Sequence, residues 1–457
     1  MKELTLKQIA DWCGGTVAPE YETVPVTGVE SDSRKVEVGD LFVALRGERV
    51  DGHDFIPSAK TLGASAALVS RPSEELPCVV VESPLRAYGE IAKHYREMTG
   101  VKVVGITGSV GKTTTKEMIA SVLSRDFKLY KSEGNHNNEI GLPMTVMNMP
   151  EDTELLVAEL GTNHPGEIAY LSAIAQPDYA VITNIGIAHI EYLGSREGIL
   201  REKLDILRSS LKNTVGIFNG DEPLLWNVRD KGTHKKYYFG IDNPSCDVVA
   251  SGIQELDDGM RFHVSGFHHE FELFVPALGR HMVYNALAAA TVGLAMGVKP
   301  ETIQNELSIF RNTGMRQKIY EKNGMTIIED CYNAGPESTE AALGVLASVK
   351  TSGKRIAVLG DMLELGNRSS AEHYLIGRSA AQKADLLLTY GAHSVRTVTG
   401  AITGGMSPKN AEHFDTHEDL VRMLKMRAGE ADVILFKGSR GMKMERVLQM
   451  FLDDHEA

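Results

Sequence analysis

The chain reads as an α/β protein of three domains, and three observations carry that reading. Its 457 residues amount to about three domains at roughly 150 residues each. Short apolar runs alternate along it with amphipathic helical patterns, as stacked α/β layers require. Those runs are nearly continuous in Val, Ile and Leu, which marks strands buried on both faces and hence a mostly parallel sheet.

In chain order the runs are VKVVGIT (101–107), LLVAELG (155–161), YAVITNIG (179–186), VGIFNGD (215–221), TIIEDCYN (326–333), RIAVLGD (355–361), DLLLTYG (385–391) and VILFKGS (433–439). The apolar stretches end in Gly or a polar residue: Gly108, Glu159, Asn184, Asn219, Asp330, Asp361, Gly391 and Lys437. Open parallel sheets bind ligands beyond the carboxyl ends of their strands, so these termini suggest a binding edge. Between 236 and 280 the pattern changes, and MRFHVSG and FELFV alternate as half-buried antiparallel strands do. NALAAATVGLAMG then predicts an Ala-rich helix ending at Gly297, with Pro300 shortly beyond. Boundaries near 82 and 313 divide the chain into 1–82, 83–313 and 314–457, with no internal repeat and no low-complexity linker.

A hydrophobic content of 42% with 24% charged residues excludes a disordered or fibrous chain. The net charge of −13 argues against sequence-blind binding to nucleic acid or anionic membrane, which runs on clustered Lys and Arg. It divides as −6, −6 and −1 over the three segments, so the last is nearly neutral. A small phosphorylated ligand remains compatible, because a few amides, one Lys and a metal ion hold it locally. Cys13, Cys78, Cys246 and Cys331 form no CxxC pair, which leaves a zinc ribbon or thioredoxin-like site without support and predicts reduced thiols in the cytoplasm. The N-terminus is amphipathic rather than a signal peptide, and no apolar run approaches the roughly 18–20 residues of a membrane helix.

The sharpest local signal is VVGITGSVGKTTTKEMIASVL at 103–123. A buried strand enters Gly108-Ser109-Val110-Gly111-Lys112-Thr113-Thr114, and an amphipathic helix follows. Small residues let backbone amides close around phosphate oxygens, and the helix dipole adds to them. Lys112 is placed to reach the β- and γ-phosphates, and Thr113 offers a hydroxyl to Mg²⁺. Ile106 stands where the longer GxxxxGK pattern has Gly, so this is a shortened GxxGKT loop for a nucleoside triphosphate. The loop alone leaves kinase, switch GTPase, partitioning ATPase and ATP-dependent ligase open, although no N-K-x-D base-reading motif is present.

A ligase that activates a carboxylate needs metal ligands and positive charge on an acyl phosphate. Glu159 ends a strand, His189 follows another and Lys203 sits on a helix, so each is a candidate. Against them stand blander roles: a loop His is often only hydrogen-bonded, and a helical Lys is usually a solvated charge.

These pieces in this order resemble the Mur ligase family of ATP-dependent amino-acid ligases in peptidoglycan precursor synthesis. The matching segments are GITGSVGKTTTKE, GNHNNEIGLP, AELGTNHPGEI, NIGIAHIEYLGS, REKLDIL, GRHMVYNALAA, MRQKIY and DCYNAGPES. SDSRKVEVGDLFVALRGERVDGHDFI (31–56), GDMLELG (360–366) and KGSRGMKME (437–445) extend the likeness over all three segments. The resemblance implies a small N-terminal α/β UDP-binding domain, a central P-loop ATPase-like domain and a C-terminal Rossmann-like domain that closes over ATP and binds the incoming dipeptide. It implies a bacterial cytoplasmic monomer that binds no nucleic acid and enters no membrane. The activity implied is addition of D-alanyl-D-alanine to UDP-N-acetylmuramoyl-tripeptide (UDP-MurNAc-tripeptide) through an acyl phosphate, with ATP and two Mg²⁺ ions.

Carried onto this chain, the resemblance makes Lys112, His189, Lys203 and Arg316 catalytic. Thr113 and Glu159 would hold the first Mg²⁺, and His189 with a carbamylated Lys203 the second. His281 and Asn285 would meet adenine, and Arg316 and Asp330 the phosphates and ribose. Ser31, Arg34, His53 and Asp54 fall in the UDP-binding run, where turn and cap chemistry is the alternative role. Asn137, Asn138, Thr162 and Asn163 would face the muramoyl-peptide and γ-phosphate, and Tyr332 and Asn333 the dipeptide. Three positions depart from the family pattern: Met282 and Gly335 replace a frequent Asn, and Lys203 lies in Glu-Lys-Leu-Asp rather than Ala-Lys-x-Glu. The nearest rival activity is addition of a single amino acid. A P-loop switch is the rival from another class, but it has no need of a long C-terminal segment bearing Arg316 and Asp330.

Overall fold

The computed structural model describes residues 1–47, 49–208 and 213–453. Glu48, within the run 31–56, lies outside the described residues. Among them the chain forms four sheets. All eight apolar runs become strands, each beginning within a residue or so of its predicted start.

The first segment begins with a two-stranded ribbon, Leu4–Thr5 against Pro25–Val26, and the helix Leu6–Cys13. Thr5 caps that helix by accepting from the Gln8 amide while the Gln8 side chain accepts from the Thr5 amide, a reciprocal capping box. A four-stranded parallel sheet follows in the order Gly28–Glu30, Asp40–Val43, Ala66–Val69 and Cys78–Val80.

The helix Pro84–Thr99 ties this sheet to the next one. Ser83 caps it, Pro84 opens it and Gly100 in the left-handed region (φ +66°) ends it. One buried apolar cluster runs from Val43 and Leu68 through Tyr88 and Ile91 to Val103 and Leu156, then on to Leu343 and Leu359. The three segments therefore share apolar core rather than meeting through water. Arg96 locks the helix from its buried side: its guanidinium donates to Ala175 O (3.2 Å), Gln176 O (3.0 Å) and Asp178 (3.3 Å). Its removal takes a donor from two carbonyls and the counter-charge from Asp178, which still accepts the Val103 amide. Arg96→Ala is therefore expected to cost about 2–3 kcal/mol, read as a lower denaturant midpoint at unchanged slope.

The central sheet has nine strands in the order His269–Val275, Gly259–Gly266, Val248–Leu256, Lys236–Gly240, Val215–Asn219, Tyr179–Ile182, Lys102–Thr107, Leu155–Glu159 and Leu129–Lys131. The first three pair antiparallel and the others parallel, matching the change of pattern after 236. The expected Ala-rich helix is Arg280–Ala295, with Gly297 just past its end at φ +84°. It packs on the helix Lys112–Leu123, which brings the segment around Asn285 beside the P-loop.

The third sheet runs Lys318–Lys322, Met325–Asp330, Val433–Lys437, Arg355–Gly360, Leu386–Tyr390 and Ala411–Phe414. Only the first pair is antiparallel. The last strand in the chain, Val433–Lys437, sits between Met325–Asp330 and Arg355–Gly360, so Asp330, Lys437 and the loop after Gly360 converge at one carboxyl edge. That is where such sheets bind ligands.

Candidate active site

A cavity of about 1110 Å³ is lined by the carboxyl-edge loops of both the central and third sheets. The P-loop forms one wall. Gly108 (φ +155°) and Gly111 (φ +82°) are required there, because a Cβ on Gly108 would stand 1.9 Å from Thr183 Oγ1 and one on Gly111 2.8 Å from Asn285 Oδ1. The amides of Ser109 and Val110 are already engaged, since both donate to Asn184 Oδ1 (3.1 and 3.0 Å). The amides of Gly111, Lys112, Thr113 and Thr114 lie at a helix N-terminus, which leaves its first amides without intrahelical partners. Lys112 Nζ donates to Gly108 O (2.8 Å), and its amine is pushed below the ordinary value by burial, with Arg316 adding to the effect.

Thr113 and Glu159 meet directly, Thr113 Oγ1 donating to Glu159 Oε2 at 2.7 Å. Asn137 Nδ2 donates to the other oxygen of Glu159 (2.8 Å), so Asn137 orients this carboxylate. Among the described residues no group of three or more His, Cys, Asp or Glu side chains could enclose a metal by itself. A hydroxyl and one buried carboxylate beside a phosphate loop suit Mg²⁺, which takes few protein oxygens and completes its shell with water and phosphate.

His189 follows the strand Tyr179–Ile182, has φ +60° and lines the cavity. Its Nδ1 lies 2.5 Å from Glu364 Oε2 of the third segment. Lys203 does not line the cavity and is only 2% exposed. Burial pushes its amine well below the ordinary value, and the nearby Lys112 charge adds to this. Its neighbour Glu202 has a structural task, accepting from the Gly166 (2.7 Å) and Ile168 (2.8 Å) amides.

His281, Met282 and Asn285 line the cavity on the helix Arg280–Ala295. Met282 contributes a buried thioether that receives Asn285 Nδ2 (3.7 Å), so the departure from Asn makes this wall apolar. Burial lowers the affinity of His281 for a proton, and its Nε2 meets Gln317 Oε1 at 2.9 Å. Gln317 N donates in turn to Asp330 Oδ1 (3.3 Å), and Lys437 Nζ contacts Asp330 Oδ2 (2.5 Å) and Asn333 O (3.0 Å). Arg316 stacks on the Tyr332 ring at 4.0 Å. Arg316, Asp330, Tyr332 and Asn333 all line the cavity. Nothing lies within 4 Å of a Cβ at Gly335, so this departure leaves open space at the mouth of the helix Pro336–Ser348.

Of the residues expected near the muramoyl-peptide, Asn138, Thr162 and Asn163 also line the cavity. Asn138 Oδ1 is spent accepting from Gly141 N (2.9 Å), and Thr162 Oγ1 donates to His164 O (3.0 Å), whereas the Asn163 side chain is exposed. Ser31, Arg34, His53 and Asp54 lie outside the lining. They follow the strands Gly28–Glu30 and Asp40–Val43, on the carboxyl side of the first sheet. Arg34 pairs with Asp32 (2.7 Å), and His53 is held by Asp51 and Ser70 (2.7 and 3.0 Å).

Asp51 accepts from the His53 amide, the His53 ring and Arg71, which hold its carboxyl well below the usual range. A depressed carboxyl stabilises the fold above its unfolded value of about 4 and loses that contribution as pH falls below it. Asp51→Asn should therefore lower the melting temperature near neutrality and flatten its further fall below about pH 4.

The sequence placed Asn184 at a strand end and Gln317, Glu337 and Glu364 within family-like segments, but nothing in the spacing gave any of them its partner.

Three family models match the chain. They are described as Mur ligase family, catalytic domain (residues 25–108), Mur ligase middle domain (106–293) and Mur ligase, glutamate ligase domain (315–440). The UDP-N-acetylmuramoyl-tripeptide–D-alanyl-D-alanine ligase of Bacillus subtilis (strain 168) is 41% identical, over 99% of each chain. The Escherichia coli (strain K12) protein of the same name is 35% identical, over 98% of each. A crystal structure of MurF from Acinetobacter baumannii superposes with a TM-score of 0.91 at 32% identity, covering 99% of both chains. The MurF ligase of Thermotoga maritima, solved in complex with ADP, gives 0.83 at 31% identity over 94% of this chain and 98% of that one.

Proposed function

The chain belongs to the Mur ligase family, and from that premise we propose that it joins D-alanyl-D-alanine to UDP-MurNAc-tripeptide at the expense of ATP. The observation that carries this reading is the shared cavity, with a phosphate loop on one wall and Arg316, Asp330 and Tyr332 of the third segment on the other. Full-length relatives bearing that activity as their name support the choice of substrates.

A carboxylate is a poor electrophile, so the γ-phosphoryl group of ATP is first transferred to the terminal carboxylate of the tripeptide. The dipeptide amine then attacks the acyl carbon, and the tetrahedral intermediate expels phosphate, leaving UDP-MurNAc-pentapeptide and ADP. The amides from Gly111 to Thr114 and the Lys112 amine bind and orient the phosphates, and Arg316 approaches them from the third segment. Asp330 takes the ribose, and His281 and Asn285 with the apolar Met282 take the adenine. Bound at Thr113 and Glu159, and at His189 with a carbamylated Lys203, Mg²⁺ supplies charge neutralisation for the transferring phosphoryl group. The Lys203 environment favours carbamylation: burial disfavours the ammonium, and an unprotonated amine adds CO₂, releases one proton and becomes an anion. Residues 1–82 hold the UDP end through Ser31, Arg34, His53 and Asp54. Residues 83–313 hold ATP, with Asn137, Asn138, Thr162 and Asn163 toward the muramoyl-peptide. Residues 314–457 close over it and present Tyr332 and Asn333 to the dipeptide, excluding water that would hydrolyse the acyl phosphate.

The test is phosphate release from ATP, Mg²⁺ and UDP-MurNAc-tripeptide, with D-Ala-D-Ala or single amino acids as acceptors. D-Ala-D-Ala should be the productive acceptor, and mass spectrometry should find the pentapeptide. Release with meso-diaminopimelate on a dipeptide precursor, and none with D-Ala-D-Ala, would sink the proposal.

A further inference from the structure

We infer that Glu364, contributed by the third segment, is a positioning residue that sets the tautomer and orientation of His189, so that this side of the active site is completed only when that segment is docked. The inference rests on the proposed role of His189 as a metal ligand.

Two backbone observations mark the contact as built. His189 and Glu364 both occupy the left-handed region at φ +60°, where non-Gly residues are uncommon. Such conformations are strained for residues with a Cβ and persist where their surroundings over-determine them. Here the two face each other, with His189 Nδ1 and Glu364 Oε2 2.5 Å apart. The same loop is gripped twice more from the third segment. Ile187 N donates to Glu337 Oε1 (2.8 Å), and Glu191 N donates to Glu364 O (3.5 Å). Gly366 completes the fit, since a Cβ there would already stand 3.3 Å from Glu191.

The chemistry follows from the imidazole. A carboxylate at Nδ1 accepts a hydrogen bond from the ring N–H, which holds the hydrogen on Nδ1 and leaves the Nε2 lone pair for a cation. Metal-bound histidines commonly donate their other ring nitrogen to such a carboxylate, and loss of that partner costs about 10–100-fold in metal affinity. Glu364 and His189 are 175 residues apart and lie on different sheets' loops. Orientation of the ring is thereby coupled to the arrival of Arg316, Asp330 and Tyr332. A centre assembled in that order forms acyl phosphate only in the shielded cavity.

Mn²⁺ binding to the full-length protein with ADP, followed by electron paramagnetic resonance, tests this apart from turnover. Glu364→Ala should weaken the second Mn²⁺ site by about 10–100-fold while leaving the first site and ADP affinity unchanged. Glu364→Gln retains an acceptor oxygen and should recover most of the loss, which a merely structural defect would not do. His189→Ala separates the two levels of the argument. If His189→Ala loses the second site while Glu364→Ala binds like wild type, the inference is overturned and the His189 assignment stands. If His189→Ala itself binds two ions normally, the metal role of His189 falls and the inference falls with it.

Discussion

Lys112→Ala is expected to lower ligation by at least about 10³-fold in kcat/KM, or roughly 4 kcal/mol of transition-state stabilisation, with the fold intact. The Lys112 amine sits beneath the phosphate loop, and the charge it carries is most valuable while a phosphoryl group is in transit between two anions. Burial disfavours that charge in the folded protein and outweighs the favourable Glu159 carboxylate, with Arg316 adding a smaller repulsion. Removing the amine therefore costs the free protein little, and the melting temperature should stay within a few degrees of wild type. Phosphate release and pentapeptide mass read the loss, and thermal melting reads the fold. More than a tenth of wild-type activity in a folded variant would remove Lys112 from the mechanism.

The second large effect is expected at Lys203. Lys203→Ala should be inactive and partly restored by acetate or formate. A short carboxylate can enter the space left by the side chain and replace the anion that carbamylation would create. Wild-type protein equilibrated with ¹³C-bicarbonate should show a carbamate carbon resonance that the variant lacks. Full activity without bicarbonate, together with no rescue and no resonance, would leave Lys203 an ordinary buried amine. Burial lowers the proton affinity of Lys203, which favours the unprotonated amine that adds CO₂ over the ammonium, which does not.

The parts of this site that are legible in the sequence are those whose cause is local. The P-loop is legible because a strand, small residues and a helix start must be contiguous to wrap phosphate. Met282 and Gly335 are legible as departures, but their consequences are not. One becomes an apolar wall joined to Asn285, and the other leaves open space at a helix mouth. Ser109 and Val110 show the limit of motif reading, because their amides are claimed by Asn184, 75 and 74 residues away. The His268-His269 pair lies at a hairpin turn, with His268 at φ +63°.

The sequence by itself determined the α/β class, the mostly parallel order, the phosphate loop and its lysine, and the family. Each depends on backbone sterics, hydrophobic periodicity or an unbroken motif, and all act over a few residues. Tertiary structure alone decided which oxygen faces which nitrogen. It placed Glu364 at Nδ1 of His189, Asn137 on Glu159 and Gln317 between His281 and Asp330. Those partners are set by the packing of whole sheets and helices, and a directional contact of about 3 Å cannot be read from spacing along a chain that crosses between sheets to make it.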